Sequence, residues 1–283
     1  MLQLENGLYV VAGAGGGGIG TQVCATLAAA GAHVLALDRD EAGCATARSI
    51  LSADPDAHAV VQVDLMEEAG IDQLFAETQA RLGPIRGLVN VVGGMPSADL
   101  AAPMLDDGEL GRFDFLMRLN LVPALIASRA AARLMRDQGQ GGSIVNTASG
   151  SGHVSMAYGA GYGAAKAALM NLTRTMAVEW GPMNIRVNAV SPGSIRTETV
   201  GRGKLAGGEP GPDDPAMRTI PLRRRGTTRD IANGALFLLS DLSSYITGQI
   251  LDIDGGTMAR PSFNDAYDVS VFMTAPALRA RLT

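Results

Sequence analysis

The sequence predicts an α/β protein: a doubly wound parallel sheet of about seven strands with helices on both faces. Three observations carry that expectation. Short β-rich runs alternate with longer Ala-rich segments along the 283 residues. Most of the runs are continuously apolar rather than alternating, as parallel strands covered on both faces are. A stretch crowded with glycine, GAGGGGIG over residues 13–20, falls between the first run and the first helical pattern.

The runs in order are LYVVAG (8–13), HVLALD (33–38), AVVQVD (59–64), GLVNVV (87–92), SIVNTAS (143–149), IRVNAVS (185–191) and QILDID (249–254). After the glycines, Ile19, Val23 and Leu27 recur every four residues on one helical face. EEAGIDQLFAETQARLG reads as a second helix, stopped by Gly83 and Pro84. Residues 112–137 and 162–180 read as long helices. The repeated β–α order implies right-handed crossovers. With no internal repeat and no linker, residues 1–283 read as a single domain. One Gly-, Pro- and charge-rich stretch, 197–222, breaks the rhythm, and it reads as a surface loop or a lid over a ligand. The tail, 260–283, carries Phe263, Tyr267, Val271, Phe272 and Met273 and is apolar enough to pack on another subunit.

Hydrophobic residues make up 47% of the chain, enough for a full core. A net charge of −5 weighs against nucleic acid or an anionic membrane as partner. Two cysteines, Cys24 and Cys44, give neither a disulfide framework nor a Cys/His metal pattern, and a reducing, cytoplasmic setting is expected. The start, MLQLENGLYVV, lacks a basic region and a long apolar run, so no signal peptide is expected. No segment approaches the ~18 unbroken apolar residues of a membrane span.

Glycine is costly to order, so six in eight positions imply a need for bare backbone. Between a strand and a helix, that need is a pyrophosphate lying on N–H groups at the helix N-terminus. The ribose acceptor belongs at the end of the second strand, where Asp38 stands. Its carboxylate accepts from both ribose hydroxyls and repels a 2′-phosphate, which predicts NAD rather than NADP. Arg39 follows and is the residue that reaches a phosphate if one is present. Asp64, ending the third run, is placed either for the adenine amino group or as a cap of the next helix.

YGAAK puts Tyr162 and Lys166 at i and i+4, on one helix face. Ser149 ends the fifth run, on the side where open α/β sheets bind ligands, and Asn120 sits in RLNLVPAL within the preceding long helix. With AGAGGGGIG, VNVVGG, RLNL, GSIVNTAS, YGAAK, IRVNAVSPG and YITGQILDIDGG in order, residues 6–258 resemble the short-chain dehydrogenase/reductase family. The resemblance implies a Rossmann-type domain, a homotetramer or homodimer, and a catalytic tetrad of Asn120, Ser149, Tyr162 and Lys166. It implies a cofactor site from Gly13, Gly17, Gly18, Ile19, Gly20, Asp38, Arg39, Asp64, Leu65, Asn90, Tyr162, Lys166, Pro192, Gly193, Ile195 and Thr197. Ile195 and Thr197, after SPG (191–193), lie along the nicotinamide carboxamide in that family. Thr197 has a second reading as a helix cap.

The chemistry fits these residue types. Tyrosine ionises near 10, and a neighbouring ammonium favours tyrosinate, so Tyr162 serves as acid/base, with Lys166 also holding the ribose. Ser149 steadies the substrate oxygen, and Asn120 positions a water leading from Lys166 to solvent. The chain departs from the family pattern in two places. Four residues, not three, separate Gly13 from Gly18, and the Asn-Asn-Ala-Gly turn reads Asn90-Val91-Val92-Gly93. Tyr158 has no lysine at i+4 and reads as pocket wall or loop packing. Trp180 reads as packing, His153 as either a substrate-facing or a plain loop residue, and Arg223–Arg225 as a solvated run.

These features point to an NAD-dependent oxidoreductase interconverting a secondary alcohol and a ketone. Met95, Met104 and Met156, in loops near the substrate, suggest an apolar or cyclic one. The alternatives are an NADPH-dependent 3-oxoacyl thioester reductase and, from another class, a non-catalytic NAD-binding scaffold.

Overall fold

The computed structural model describes residues 4, 7–95, 110–197 and 219–259. Most of the expected lid, the tail 260–283 and Met104 lie outside the described residues. All seven runs form strands: β1 (Leu8–Ala12), β2 (His33–Asp38), β3 (His58–Gln62), β4 (Ile85–Asn90), β5 (Gly142–Thr147), β6 (Ile185–Pro192) and, after two short strands, β9 (Ile250–Ile253). The short strands, β7 (Ile195–Arg196) and β8 (Gly226–Thr227), form a separate ladder. The main sheet is parallel throughout, in the order β3-β2-β1-β4-β5-β6-β9. The order reverses between β1 and β4, where Ala12 stands beside Asn90. In open sheets the ligand crevice lies beyond the strand ends at such a switch point.

Side chains alternate across β1, and both sets are buried. Leu8, Val10 and Ala12 join Leu35, Leu37, Leu88, Ile144 and Val187 on one face. Tyr9 and Val11 join Val34, Ala36, Val89, Val145 and Val190 on the other. The first face is covered by α3 (Ile71–Leu82), α4 (Gly111–Asp137) and α5 (Ala160–Trp180), through Phe75, Ile126, Ala130 and Met176. The second is covered by α1 (Ile19–Ala29), α2 (Glu41–Ile50) and α6 (Thr228–Leu239), through Val23, Leu27, Ala47, Ile231 and Ala235.

Local chemistry sets the helix ends. Thr227 and Asp230 form a reciprocal capping box on α6. The α3 helix begins at Ile71 rather than at Glu67, because Gly70 caps it in the left-handed conformation and the preceding residues form a turn. The sequence pattern missed α2, whose buried side is only Gly43, Cys44 and Ala47. By length and composition α4 could cross a membrane, but its buried side, from Leu116 to Met135, packs in the fold.

Candidate active site

The glycine loop lies at the switch point. Gly13 has a φ of +85°, and a Cβ there would meet the Val92 nitrogen at 2.8 Å. The N–H groups of Gly13 and Ala14 both donate to the Leu37 carbonyl, at 2.8 and 2.9 Å. Gly16 and Gly17 continue in the left-handed region, at +81° and +66°. Thr21, in the first turn of α1, fastens the loop: it accepts from Gly17 N at 3.2 Å and donates to the Ala14 carbonyl at 2.9 Å. Gly20 packs on the Gly13 carbonyl, leaving no room for a side chain. Gly18 caps α1 without a side-chain bond to the first-turn N–H groups, and the positions a Cβ would take at Gly16 and Gly18 are open. First-turn amides facing bare space suit a diphosphate.

Asp38 ends β2 beside this loop. Its Oδ2 accepts from Gly15 N at 2.8 Å, and its Oδ1 accepts from Asp40 N at 3.1 Å. Each oxygen keeps a free lone-pair direction, which fits a pair of ribose hydroxyls. The Arg39 guanidinium is about half exposed, 3.6 Å from the Asp40 carboxylate. Asp64 accepts from Met66 N at 2.9 Å, so its carboxylate shapes the turn after β3, and since Gly70 caps α3, Asp64 is not the cap of that helix. Leu65 is buried with Ile71 and Phe75. Asn90 is also buried. Its amide donates to Ser128 Oγ at 2.9 Å and Asn146 Oδ1 at 2.8 Å, while Asn146 donates to Thr173 Oγ1 at 2.9 Å. This polar chain ties β4 and β5 to α4 and α5, and the Asn90 side chain is directed into that chain.

The side chains expected to be catalytic converge where β5 ends and α5 begins. Ser149 caps a short turn, Gly150–Gly152, by accepting from Ser151 N at 3.2 Å. Gly152 lies so near α5 that a Cβ would come within 2.9 Å of the Lys166 carbonyl carbon. That contact brings the serine loop onto the helix bearing Tyr162 and Lys166. The Ser149 hydroxyl lies close enough to the Tyr162 phenol to favour its ionised form. The Lys166 ammonium lies 5.7 Å from the Tyr162 ring centroid and donates to the Thr147 carbonyl at 2.8 Å. Burial disfavours charge on both groups. It raises the Tyr162 phenol above its ordinary value, partly offset by Ser149, and it lowers Lys166 to about 8.

Asn120 is buried in α4. Its Oδ1 accepts from Gly94 N at 2.6 Å, and its Nδ2 donates to the carbonyls of Gly94 and Leu116, both at 3.0 Å. The side chain thus fixes the loop after β4, and its polar atoms are already engaged there rather than offered to a water.

Pro192 closes β6, and Gly193 packs against Asp254, where a Cβ would meet the Asp254 Cα at 2.7 Å. Ile195 pairs with Gly226, and Thr197 follows the β7 strand. His153 pairs with Asp252 of β9 at 2.9 Å. Tyr158 is exposed, with a φ of +63°. Trp180 packs on the core. Arg224 reaches Asp230 at 3.0 Å, within an exposed cluster. Nothing in the sequence points to Thr21 or Gly43, nor to the Gly15 amide, the Gly94 peptide and the Thr147 carbonyl as hydrogen-bonding partners. All but Thr21 act through backbone or through lack of a side chain, whether inside a motif, as Gly15, Gly94 and Thr147 are, or outside one, as Gly43 is.

The switch-point loop, the Asp38 carboxylate and the buried Tyr162–Lys166 pair define a dinucleotide-dependent oxidoreductase with a Rossmann-type fold. A short-chain alcohol dehydrogenase family model, described as enoyl-(acyl carrier protein) reductase, matches residues 13–258. The chain is similar to 2-(S)-hydroxypropyl-CoM dehydrogenase 3 of Xanthobacter autotrophicus, with 33% identity over 91% of this chain and 98% of that one. It is 34% identical to a 2,5-dichloro-2,5-cyclohexadiene-1,4-diol dehydrogenase of Sphingobium indicum, over 90% and 98% of the two chains. Among solved structures, a gluconate 5-dehydrogenase from Burkholderia cenocepacia, in complex with NADP and tartrate, superposes with a TM-score of 0.80. It is 30% identical, and the match covers 92% of this chain and 98% of that one. The chain belongs to the short-chain dehydrogenase/reductase family, and it is an oxidoreductase of CH–OH groups that uses a nicotinamide cofactor.

Proposed function

We propose that this protein is an NAD-dependent dehydrogenase of apolar, often cyclic, secondary alcohols, working reversibly on the matching ketones. The observation that carries the reading is the union of two arrangements: Ser149 and Tyr162, both half-buried, gathered with the buried Lys166, and Asp38 presenting its carboxylate beside the glycine loop.

When bound, the nicotinamide accepts or returns the hydride. The chain's own groups handle the proton. Tyr162 takes the proton from the substrate hydroxyl during oxidation and gives it back during reduction. Ser149 holds the substrate oxygen and steadies its developing charge. Lys166, anchored on the Thr147 carbonyl, fixes the Tyr162 side of the helix and is the group that reaches the ribose. Gly13, Gly17, Gly18, Ile19 and Gly20 would receive the diphosphate. Asp38 would hold the adenosine ribose, with Arg39, Asp64, Leu65 and Asn90 around the adenosine half and Pro192, Gly193, Ile195 and Thr197 around the nicotinamide. Val154, Met156 and Tyr158, between the serine loop and α5, give the substrate side an apolar rim.

We read the protein as a cytoplasmic homotetramer or homodimer. Both cysteines are free and buried. Phe115 of α4, Val178 of α5 and Leu251 of the edge strand β9 expose apolar side chains that a second copy would cover. Light scattering of the purified protein tests the assembly, and a monomer would overturn it. The activity test is a panel of secondary alcohols with NAD and with NADP, following reduced nicotinamide by absorbance. Turnover with a preference for NAD is expected. Equal or better efficiency with NADP, turnover confined to enoyl or 3-oxoacyl thioesters, or cofactor binding without turnover would each overturn the reading.

A further inference from the structure

We propose that Gly43, acting with Gly15, sets cofactor choice by clamping the Asp38 carboxylate in its working position. The proposal rests on the NAD reading above and adds the residues that make Asp38 selective. Gly43 lies in the first turn of α2, where alanine would be the better helix former. Its backbone instead lies directly on Asp38. A Cβ at position 43 would stand 2.7 Å from the Asp38 Cγ, 2.8 Å from Oδ1 and 3.0 Å from Oδ2, closer than real side chains approach. On the other side, Gly15 N donates to Oδ2 at 2.8 Å. The two glycines also touch each other, since a Cβ on Gly15 would run into the Gly43 backbone.

The carboxylate is therefore held between a loop amide and a bare stretch of helix, with Asp40 N on its other oxygen at 3.1 Å. A carboxylate offers about four acceptor directions. The backbone uses one on each oxygen, leaving one on each for two vicinal hydroxyls. A 2′-phosphate brought to the same place would meet a fixed negative charge. The loop is one residue longer than the family spacing, and this longer loop contributes the Gly15 amide that reaches Asp38.

A methyl group at position 43 meets the end of a flexible side chain rather than backbone, so Asp38 would swing away and the helix would stay. Gly43 is thus a positioning residue, and the test separates it from a merely structural one. The readouts are the dissociation constants of NADH and NADPH, from reduced-nicotinamide fluorescence, and the melting temperature of the ligand-free protein. In Gly43→Ala the NADH affinity should fall about tenfold, as expected for losing hydrogen bonds to a charged group. The preference over NADPH should shrink with it, while the melting temperature holds or rises. In an Asp38→Ala background, adding Gly43→Ala should change neither affinity, because the two act as one unit. As a second variant, Asp38→Glu keeps the charge but is a methylene too long for the clamp, and it should lose most of the preference as well. A wild type that binds NADPH as tightly as NADH overturns the NAD reading and this proposal together. A wild type that prefers NADH, with Gly43→Ala or Asp38→Glu keeping the full ratio, overturns this proposal alone. An undiminished effect of Gly43→Ala in the Asp38→Ala background does the same.

Discussion

The two ends of the crevice are built from opposite materials. At the dinucleotide end, from Gly13 to Gly20 and around Asp38, the chain works by leaving side chains out. Gly20 and Gly43 press backbone against neighbours, and Gly16 and Gly18 leave open space. At the proposed catalytic end, side chains are buried or half-buried, and two are tied to fixed partners, Lys166 to the Thr147 carbonyl and Asn120 to the Gly94 peptide, while Ser149 stands beside Tyr162. At the first end, adding one carbon does the damage. At the second, removing one polar atom does. The difference follows from what each end must recognise. A diphosphate and two hydroxyls are met by main-chain amides and one carboxylate, whereas a proton transfer needs side chains whose charge is tuned by burial.

Lys166→Met sharpens the contrast most. Turnover should fall by about a hundredfold or more, yet the protein should melt no lower at neutral pH, because a buried ammonium is costly. Linkage fixes the sign. Lys166 titrates near 8 when folded, against an ordinary value of 10.5, so the unfolded chain binds more protons between those values. Wild-type stability should therefore gain from this group as pH rises from about 8 to 10.5, and Lys166→Met should lack that gain. Melting curves across that range check it, and parallel pH profiles for the two proteins would contradict it.

At the dinucleotide end, Gly18→Ala places a methyl in open space and should leave the melting temperature unchanged while weakening NADH binding about tenfold. Gly20→Ala collides with the Gly13 carbonyl and should lower stability as well, by ~1–3 kcal/mol. NADH titration alongside thermal melts separates the two. If Gly18→Ala bound NADH as well as the wild type, the diphosphate would not sit there.

The smallest effect lies away from both ends. Thr227→Ala removes the α6 cap and should cost about 1 kcal/mol in urea unfolding, with both nicotinamide affinity and turnover intact. Asp230, held to about 2 chiefly by Arg224 and then by the Thr227 amide, has a folded value below the ordinary 3.8. Its contribution is present above the unfolded value and is lost as pH falls through about 2. Acid unfolding of Asp230→Asn should lack that dependence.

What was legible in the sequence follows the same division. The seven strands were readable because continuous apolar runs are local. Tyr162 and Lys166 were readable because an i, i+4 pair is a local signal. The α2 helix was not, because Gly43, Cys44 and Ala47 are small and bury little apolar surface. The start of α3 was placed too early because the left-handed conformation of Gly70 breaks an otherwise helical pattern. Asp38 was legible as a charge at a strand end, but its clamp was not, because Gly43 contributes only close backbone approach. The His153–Asp252 pair joins residues 99 positions apart and had no local trace.

The central claim is that Tyr162 moves the proton within a site whose cofactor end is independent of it. The direct measurement compares Tyr162→Phe with the wild type for NADH binding and for turnover of a secondary alcohol at saturating NAD, with Tyr158→Phe as control. The account predicts NADH affinity within about tenfold of wild type, the most that losing one hydrogen bond to the cofactor would cost. It predicts kcat lower by about 10²- to 10⁴-fold in Tyr162→Phe and little changed in Tyr158→Phe. A Tyr162→Phe enzyme that kept more than about a tenth of wild-type kcat, or a Tyr158→Phe enzyme that lost turnover instead, would contradict it.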